Sequence, residues 1–314
     1  MIDMHYDLLS ILYYCHLKND FSYIEKLKRR FRDNNITGVI ANLYFMSKEE
    51  MQSEIGEEEI NVVSMFQIAT DLFKKYFPTI KAIFSIEGCD YIEDEDELEI
   101  LYHLGLRNIL LVWNNKNKYA SGTRADGGLT DCGKKFLSKA IELGISIDLS
   151  HMNKETFWNT VEFLRDEKNR GRDVKVIVSH SNCYDLCPVL RNLTDEQIGV
   201  LKELDVVIGL VSYKPFITTN HSVSVDSLKE KYLEHINRVV DILGVKHVGV
   251  STDDMLFANY LFDEDYEEIF NYNNIKDDLV KLLKNKYQQV EIDDILFKNC
   301  LLYTSPSPRD RQKS

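Results

Sequence analysis

The chain has 314 residues, 44% of them hydrophobic, and a formal net charge of −13. That length and apolar content suit one large domain with a sizeable core. The acidic balance, with no basic stripe, argues against nucleic acid or an anionic membrane as a partner. No run approaches the roughly 18 apolar residues of a membrane span. The first residues lack the basic and apolar regions of a secretory leader. The expectation is a cytoplasmic protein. Cys15, Cys89, Cys132, Cys183, Cys187 and Cys300 lack zinc-knuckle spacing and are expected to be reduced thiols.

Short apolar runs alternate with helical patterns along the chain. Strands are predicted at MIDMH (1–5), GVIANLYF (38–45), AIFSIEG (82–88), NILLVW (108–113), SIDLSH (146–151), VKVIVSHS (174–181), VVIGLVS (206–212) and HVGVSTD (247–253). Most are unbroken apolar runs, as expected for parallel strands covered outside by helices. YIEDEDELEI (91–100) reads as a solvated helix start. NLTDEQIGVLKEL (192–204) carries a capping box, Thr194 with Gln197. SLKEKYLEHINRVVDILG (227–244) places Leu228, Tyr232, Ile236, Val239, Val240 and Leu243 on one stripe. Gly105, Gly144 and Gly244 each follow a leucine directly before a strand and supply the left-handed helix stop. Eight βα units predict a (β/α)8 TIM-like barrel in a single domain, residues 1–299. A doubly wound open sheet would want an early glycine-rich phosphate loop, and none is present. The tail CLLYTSPSPRD (300–310) reads as translated adapter sequence, so residues 300–314 are expected to be foreign and the native C-terminus truncated near Asn299.

In such a barrel the active site gathers at the C-terminal ends of the strands. His5, Glu87, His151, His180 and Asp253 close predicted strands there, with Asp7 just beyond the first. In an extended strand, residues i and i+2 face the same side, so His5 and Asp7 can grip one cation. Imidazole with carboxylate suits Zn2+ and other divalent metals. Glu87 has two oxygens and can bridge a second metal held by His151 and His180. Such a pair would acidify a bridging water to a hydroxide nucleophile. Singly, each residue has a structural reading: a hydrogen-bonded histidine, an N-cap at Asp7, a helix-terminal carboxylate at Glu87. His16, His103, His221, His235 and His247 are assigned no role.

DMHYD (3–7), SIEG (85–88), GGLTDCG (127–133), DLSH (148–151), VSHSN (178–182), RNLTDEQI (191–198) and HVGVSTD (247–253) together resemble the membrane (renal) dipeptidase family of zinc metallopeptidases, in family order and over nearly the whole chain to residue 299. The resemblance implies two Zn2+, one held by His5, Asp7 and Glu87, the other by Glu87, His151 and His180. It implies that Arg191 pairs with the α-carboxylate of a free dipeptide. Asp253 would move a proton to the leaving amine, and Asn182 and the Trp113–Asn114 region would line the pocket. Dipeptides with a C-terminal D-residue are within the implied substrate range, and relatives are often homodimers. Two segments depart from the family pattern: STDDML puts Met255 at a usually acidic position, and CPVLRN precedes Arg191 differently. Another metal-dependent amidase or lactonase of the same barrel class is the alternative, as is a degenerate, non-catalytic homologue. No lysine closes a predicted strand, which argues against barrels that bridge metals with a carboxylated lysine.

Overall fold

A computed structural model describes residues 1–44, 61–220, 222–253 and 275–300. Eight parallel strands lie side by side in sequence order: β1 (Ile2–Tyr6), β2 (Gly38–Tyr44), β3 (Lys81–Glu87), β4 (Leu106–Leu110), β5 (Ser146–Asp148), β6 (Val176–Val178), β7 (Val207–Val211) and β8 (Val248–Ser251). They form the nearly closed, helix-wrapped barrel that the alternation of apolar runs and helices predicts. β8 is strapped to β1 by Asp3, whose carboxylate accepts from Thr252 N at 3.0 Å and Thr252 Oγ1 at 2.5 Å. No described helix is long and apolar enough to cross a membrane.

The interior is layered. Ile2, Met4, Ile40, Ile83, Ile177 and Val207 form an apolar floor separate from the larger core between strands and helices. By the period of two, Ser85 and Glu87 share the inward face of Ile83. Above the floor, Asn108 Nδ2 donates to Ser85 Oγ at 2.9 Å, and Ser146 Oγ donates to Asn108 Oδ1 at 2.8 Å. Met4 fits because β8 has Gly249 beside it: a Cβ there would lie 2.3 Å from the Met4 sulfur. Cys300, the first residue beyond the predicted boundary, packs into this floor and is 4% exposed. Residues 301–314 lie outside the described residues.

The strands are shorter than predicted at their C-terminal ends for a specific reason. Asp148 Oδ1 accepts from Ser150 N at 3.0 Å and Ser179 N at 3.1 Å. Those amides therefore leave the ladder, and β5 and β6 stop at Asp148 and Val178. Most of the helix signals hold. Gly105 and Gly144 take the predicted left-handed stop, whereas Gly244 has positive φ but an extended ψ of 161° and leads into a short turn, Val245–His247, before β8. Thr194 and Gln197 form a capping box, and Asp94 caps the acidic helix Glu95–Leu104.

The helix Val225–Leu243 buries Leu228, Tyr232, Ile236, Val239 and Leu243 as predicted, but His235 sits on the same stripe while Val240 is half-buried. His235 Nδ1 accepts from Cys183 N at 3.1 Å, so its Nε2–H donates to Ile217 O at 3.1 Å. The ring clamps the segments after β6 and β7 together. Burial pushes its pKa down to about 4, with Lys231 adding to the effect. The folded value lies below the ordinary 6.5, so the unfolded chain binds more protons between these values. We predict that this clamp loses about 3 kcal/mol of stability as pH falls from 6.5 to 4. Urea unfolding across that window checks it: parent and His235→Gln should converge toward acid, and parallel profiles would refute it.

Candidate metal centre

The six predicted chelating and acid–base side chains meet at the C-terminal mouth of the barrel. His5 lies on a bulge of β1, where Asp3 pairs with Val39 and Tyr6 with Ala41, so three steps match two on β2. Asp3 Oδ1 supports the bulge by accepting from His5 N at 3.2 Å. Asp7 occupies the N-cap position of the helix Leu8–Lys18 but makes no side-chain cap hydrogen bond. His5 and Asp7 therefore meet through a bulge and a turn, not through the regular strand that the spacing predicts. Their closest approach is 3.7 Å. Glu87 ends β3. His151 and His180 lie beyond β5 and β6, and Asp253 lies beyond β8. His151 and Asp253 have φ of 68° and 46°, left-handed conformations that are uncommon outside glycine.

Glu87 is the hub and is 2% exposed. Its Oε2 lies 3.1 Å from His5 Nε2, and its Oε1 lies 2.8 Å from His151 Nε2 and 3.6 Å from His180 Nε2. Asp253 Oδ1 is 3.8 Å from His5 Nε2. Two clusters of donors fall within 4.8 Å: His5 with Glu87 and His180, and His5 with Asp7 and Asp253.

The outer nitrogens are held in place. His151 Nδ1 lies 3.0 Å from Asn114 Oδ1, an oxygen that also accepts from Thr123 Oγ1. His180 Nδ1 meets Ser179 Oγ at 2.8 Å, and His5 Nδ1 meets Asn42 Nδ2 at 2.9 Å and Ser179 Oγ at 3.3 Å. Such partners fix tautomer and ring direction in metal sites. Burial pushes His151 down to about 3, aided by Arg191, so its ring is neutral. With its proton on Nδ1 toward Asn114, its Nε2 lone pair faces the Glu87 carboxylate at 2.8 Å and His180 Nε2 at 3.0 Å. Two acceptors, a neutral imidazole nitrogen and a buried carboxylate oxygen, facing each other at 2.8 Å call for positive charge between them, so the donor set fits a cation. Burial lowers His180 as well. His5 goes the other way: burial opposes its charge, but Glu87, Asp253 and Asp7 lift it to about 10. Glu87 is held well below the carboxylate range: burial alone would raise it, and His5 and His151 outweigh that.

Arg191 and Trp113 flank this centre. The half-buried Arg191 donates from Nη2 to His180 O at 3.4 Å and stacks on Phe216, 5.3 Å from the ring centre. Trp113 lies 6.1 Å from the His151 ring and 5.1 Å from Tyr44, centroid to centroid. A cleft of about 230 Å3 opens beside them, lined by His151, Arg191, Thr123, Met152, Tyr184 and Leu190, among others. Asn182 differs from expectation. Its amide donates to Val211 O and Phe216 O and accepts from Val211 N, so this 1%-exposed side chain fastens β6 to β7 and does not line the cleft. Asn114, expected in the lining, instead orients His151. Met255 lies outside the described residues. Sequence reading missed Ser179 and Asn42 as orienting groups and Asp3 as the strap. A serine beside a strand-end histidine was the available signal for Ser179, whereas Asn42 is a lone polar residue inside an apolar run.

The family model for "Membrane dipeptidase (Peptidase family M19)" matches residues 50–304. An uncharacterized protein of Acinetobacter calcoaceticus is 30% identical over 168 residues, 51% of each chain. Dipeptidase aclJ of Aspergillus oryzae is 30% identical over 179 residues, 55% of this chain and 40% of that protein. These matches thus span about half, or less, of those relatives' lengths. Among solved structures, a metallo peptidase from Rhodobacter sphaeroides, liganded with a phosphinate mimic of L-Ala-D-Ala, superimposes with a TM-score of 0.74 at 19% identity, covering 96% of this chain and 97% of that one. A match over most of the sequence, on a barrel with this rim of histidines and carboxylates, places the chain in the membrane dipeptidase family of metallo-peptidases, family M19.

Proposed function

We propose that the chain is a zinc-dependent dipeptidase that hydrolyses free dipeptides, including those with a C-terminal D-residue. The observation that carries this reading is the neutral His151 Nε2 facing a carboxylate at 2.8 Å and a second imidazole at 3.0 Å. His5, Asp7 and Glu87 would hold one Zn2+, and Glu87, His151 and His180 the other. When bound, such ions supply Lewis-acid polarisation of a peptide carbonyl and acidify water near neutral pH.

The chain's own residues do the remaining work. Arg191 stays charged: burial lowers it only to about 10, against the pull of Glu87 and Asp253. Its guanidinium would clamp the substrate's free carboxylate and set the register of the scissile bond. Asp253, 3.8 Å from His5 Nε2, would take a proton from the attacking water and return it to the leaving amine. The Trp113 indole, set near His151 and Tyr44, would wall one side and exclude bulk water.

Zinc reconstitution of the chelated protein should restore two equivalents and hydrolysis of Ala–Ala and Ala–D-Ala. His151→Ala should lose one equivalent and nearly all turnover. Less than one equivalent in the parent would end this reading. Asp253→Asn should retain both metals and lower kcat by about 100-fold or more, the typical scale of a lost proton-transfer group. Unchanged kcat would remove Asp253 from its role. If Arg191 reads the carboxylate, amidating the C-terminus of Ala–Ala should lower kcat/KM by at least about tenfold, the scale of one charge-assisted hydrogen bond. Equal rates would favour an amidase or lactonase of the same barrel class.

A further inference from the structure

We infer that the cleft beside the metal centre is built for a dipeptide whose C-terminal residue is itself acidic, with Lys154 reading the side-chain carboxylate while Arg191 reads the α-carboxylate. The inference rests on the dipeptidase reading and deepens it to a substrate class.

Three observations converge. First, the described residues lining the cleft include two cations, Arg191 and Lys154, and no aspartate or glutamate. This is unusual in a chain with 51 acidic residues against 38 lysines and arginines. Two like charges on one cleft attract an oppositely charged ligand. Second, Lys154 has no ion-pair partner among the described residues, whereas Lys134, Lys139 and Lys229 each have one. Lys154 is exposed at the rim of the cleft, so its ammonium can reach a ligand seated there. Third, Lys154 opens the helix Lys154–Asn169, whose N-cap Asn153 accepts from Thr156 N. A cation in the first turn opposes the helix dipole, so the position is a poor one for stability alone. A local rule broken at the rim of a binding cleft marks a functional residue.

The cleft's scale fits. About 230 Å3 is just below the roughly 300–1,000 Å3 of drug-sized sites and suits one short side chain with its carboxylate. Tyr184, Leu190 and Met152 supply apolar walls for its methylenes.

The test compares Ala–Glu with its neutral isostere Ala–Gln, which keeps the α-carboxylate and shape. Calorimetric titration of the chelated full-length chain reads binding without hydrolysis. Steady-state kinetics of the zinc-loaded chain reads turnover. Ala–Glu should bind about tenfold more tightly than Ala–Gln, with the same preference in kcat/KM. Lys154→Met should collapse that ratio toward one, and Lys154→Arg should keep most of it. Equal binding of the two dipeptides by the parent, an unchanged ratio in Lys154→Met, or no binding of Ala–Glu to either form would overturn the inference. Selective binding of Ala–Glu with no turnover would instead support the cleft assignment and overturn the dipeptidase reading. Turnover of Ala–Ala without selectivity would do the reverse.

Discussion

A carboxylate buried among imidazoles governs the upper half of this molecule. Glu87 ends a central strand with almost no solvent contact, and three histidines from other strands aim their Nε2 atoms at its two oxygens. Taking such a charge out of water costs several kcal/mol unless positive charge is returned to it. The surrounding details serve that requirement. Ser179, Asn114 and Asn42 hold the far sides of the rings, so that the near sides cannot turn away. His151 and Asp253 adopt left-handed backbone to bring their side chains inward. Asp7 stands at a helix cap without capping it.

The site also reshapes the barrel beneath it. Branched apolar residues usually fill such interiors. Here only the floor is apolar, and the next level carries Ser85, Asn108 and Ser146 in a hydrogen-bonded chain. Buried polar groups of this kind are tolerable only when each finds a partner. The gradient from floor to mouth thus runs from methylenes to hydroxyls and amides to charges, and β3 alone samples it through Ile83, Ser85 and Glu87.

Much of this was legible before any coordinates. The eight strands stand out because parallel strands are buried on both faces and read as unbroken apolar runs, so a histidine or carboxylate closing one is conspicuous. The strand ends were less legible. The run SIDLSH looks continuous, but the Asp148 side chain captures two backbone amides and ends both neighbouring ladders, an event that depends on spatial proximity and not on propensity. Asn182 shows the same limit. The family resemblance implies a pocket role for Asn182, yet its amide complements one backbone position on β7 that lies 29 residues away. His235 was invisible as a clamp because both of its partners are main-chain groups, which leave no mark in a sequence.

The strap between Asp3 and Thr252 spans 249 positions along the chain. Bringing together segments so far apart carries a high loop-closure entropy, which contacts of short range do not offset until the ring is nearly complete. His5 rides on the segment that Asp3 anchors, and Asp253 follows directly on Thr252. The two flanks of the mouth are therefore tied by one contact between the first and last strands. Cutting that strap would loosen both flanks of the mouth at once without altering any side chain that faces the metal centre.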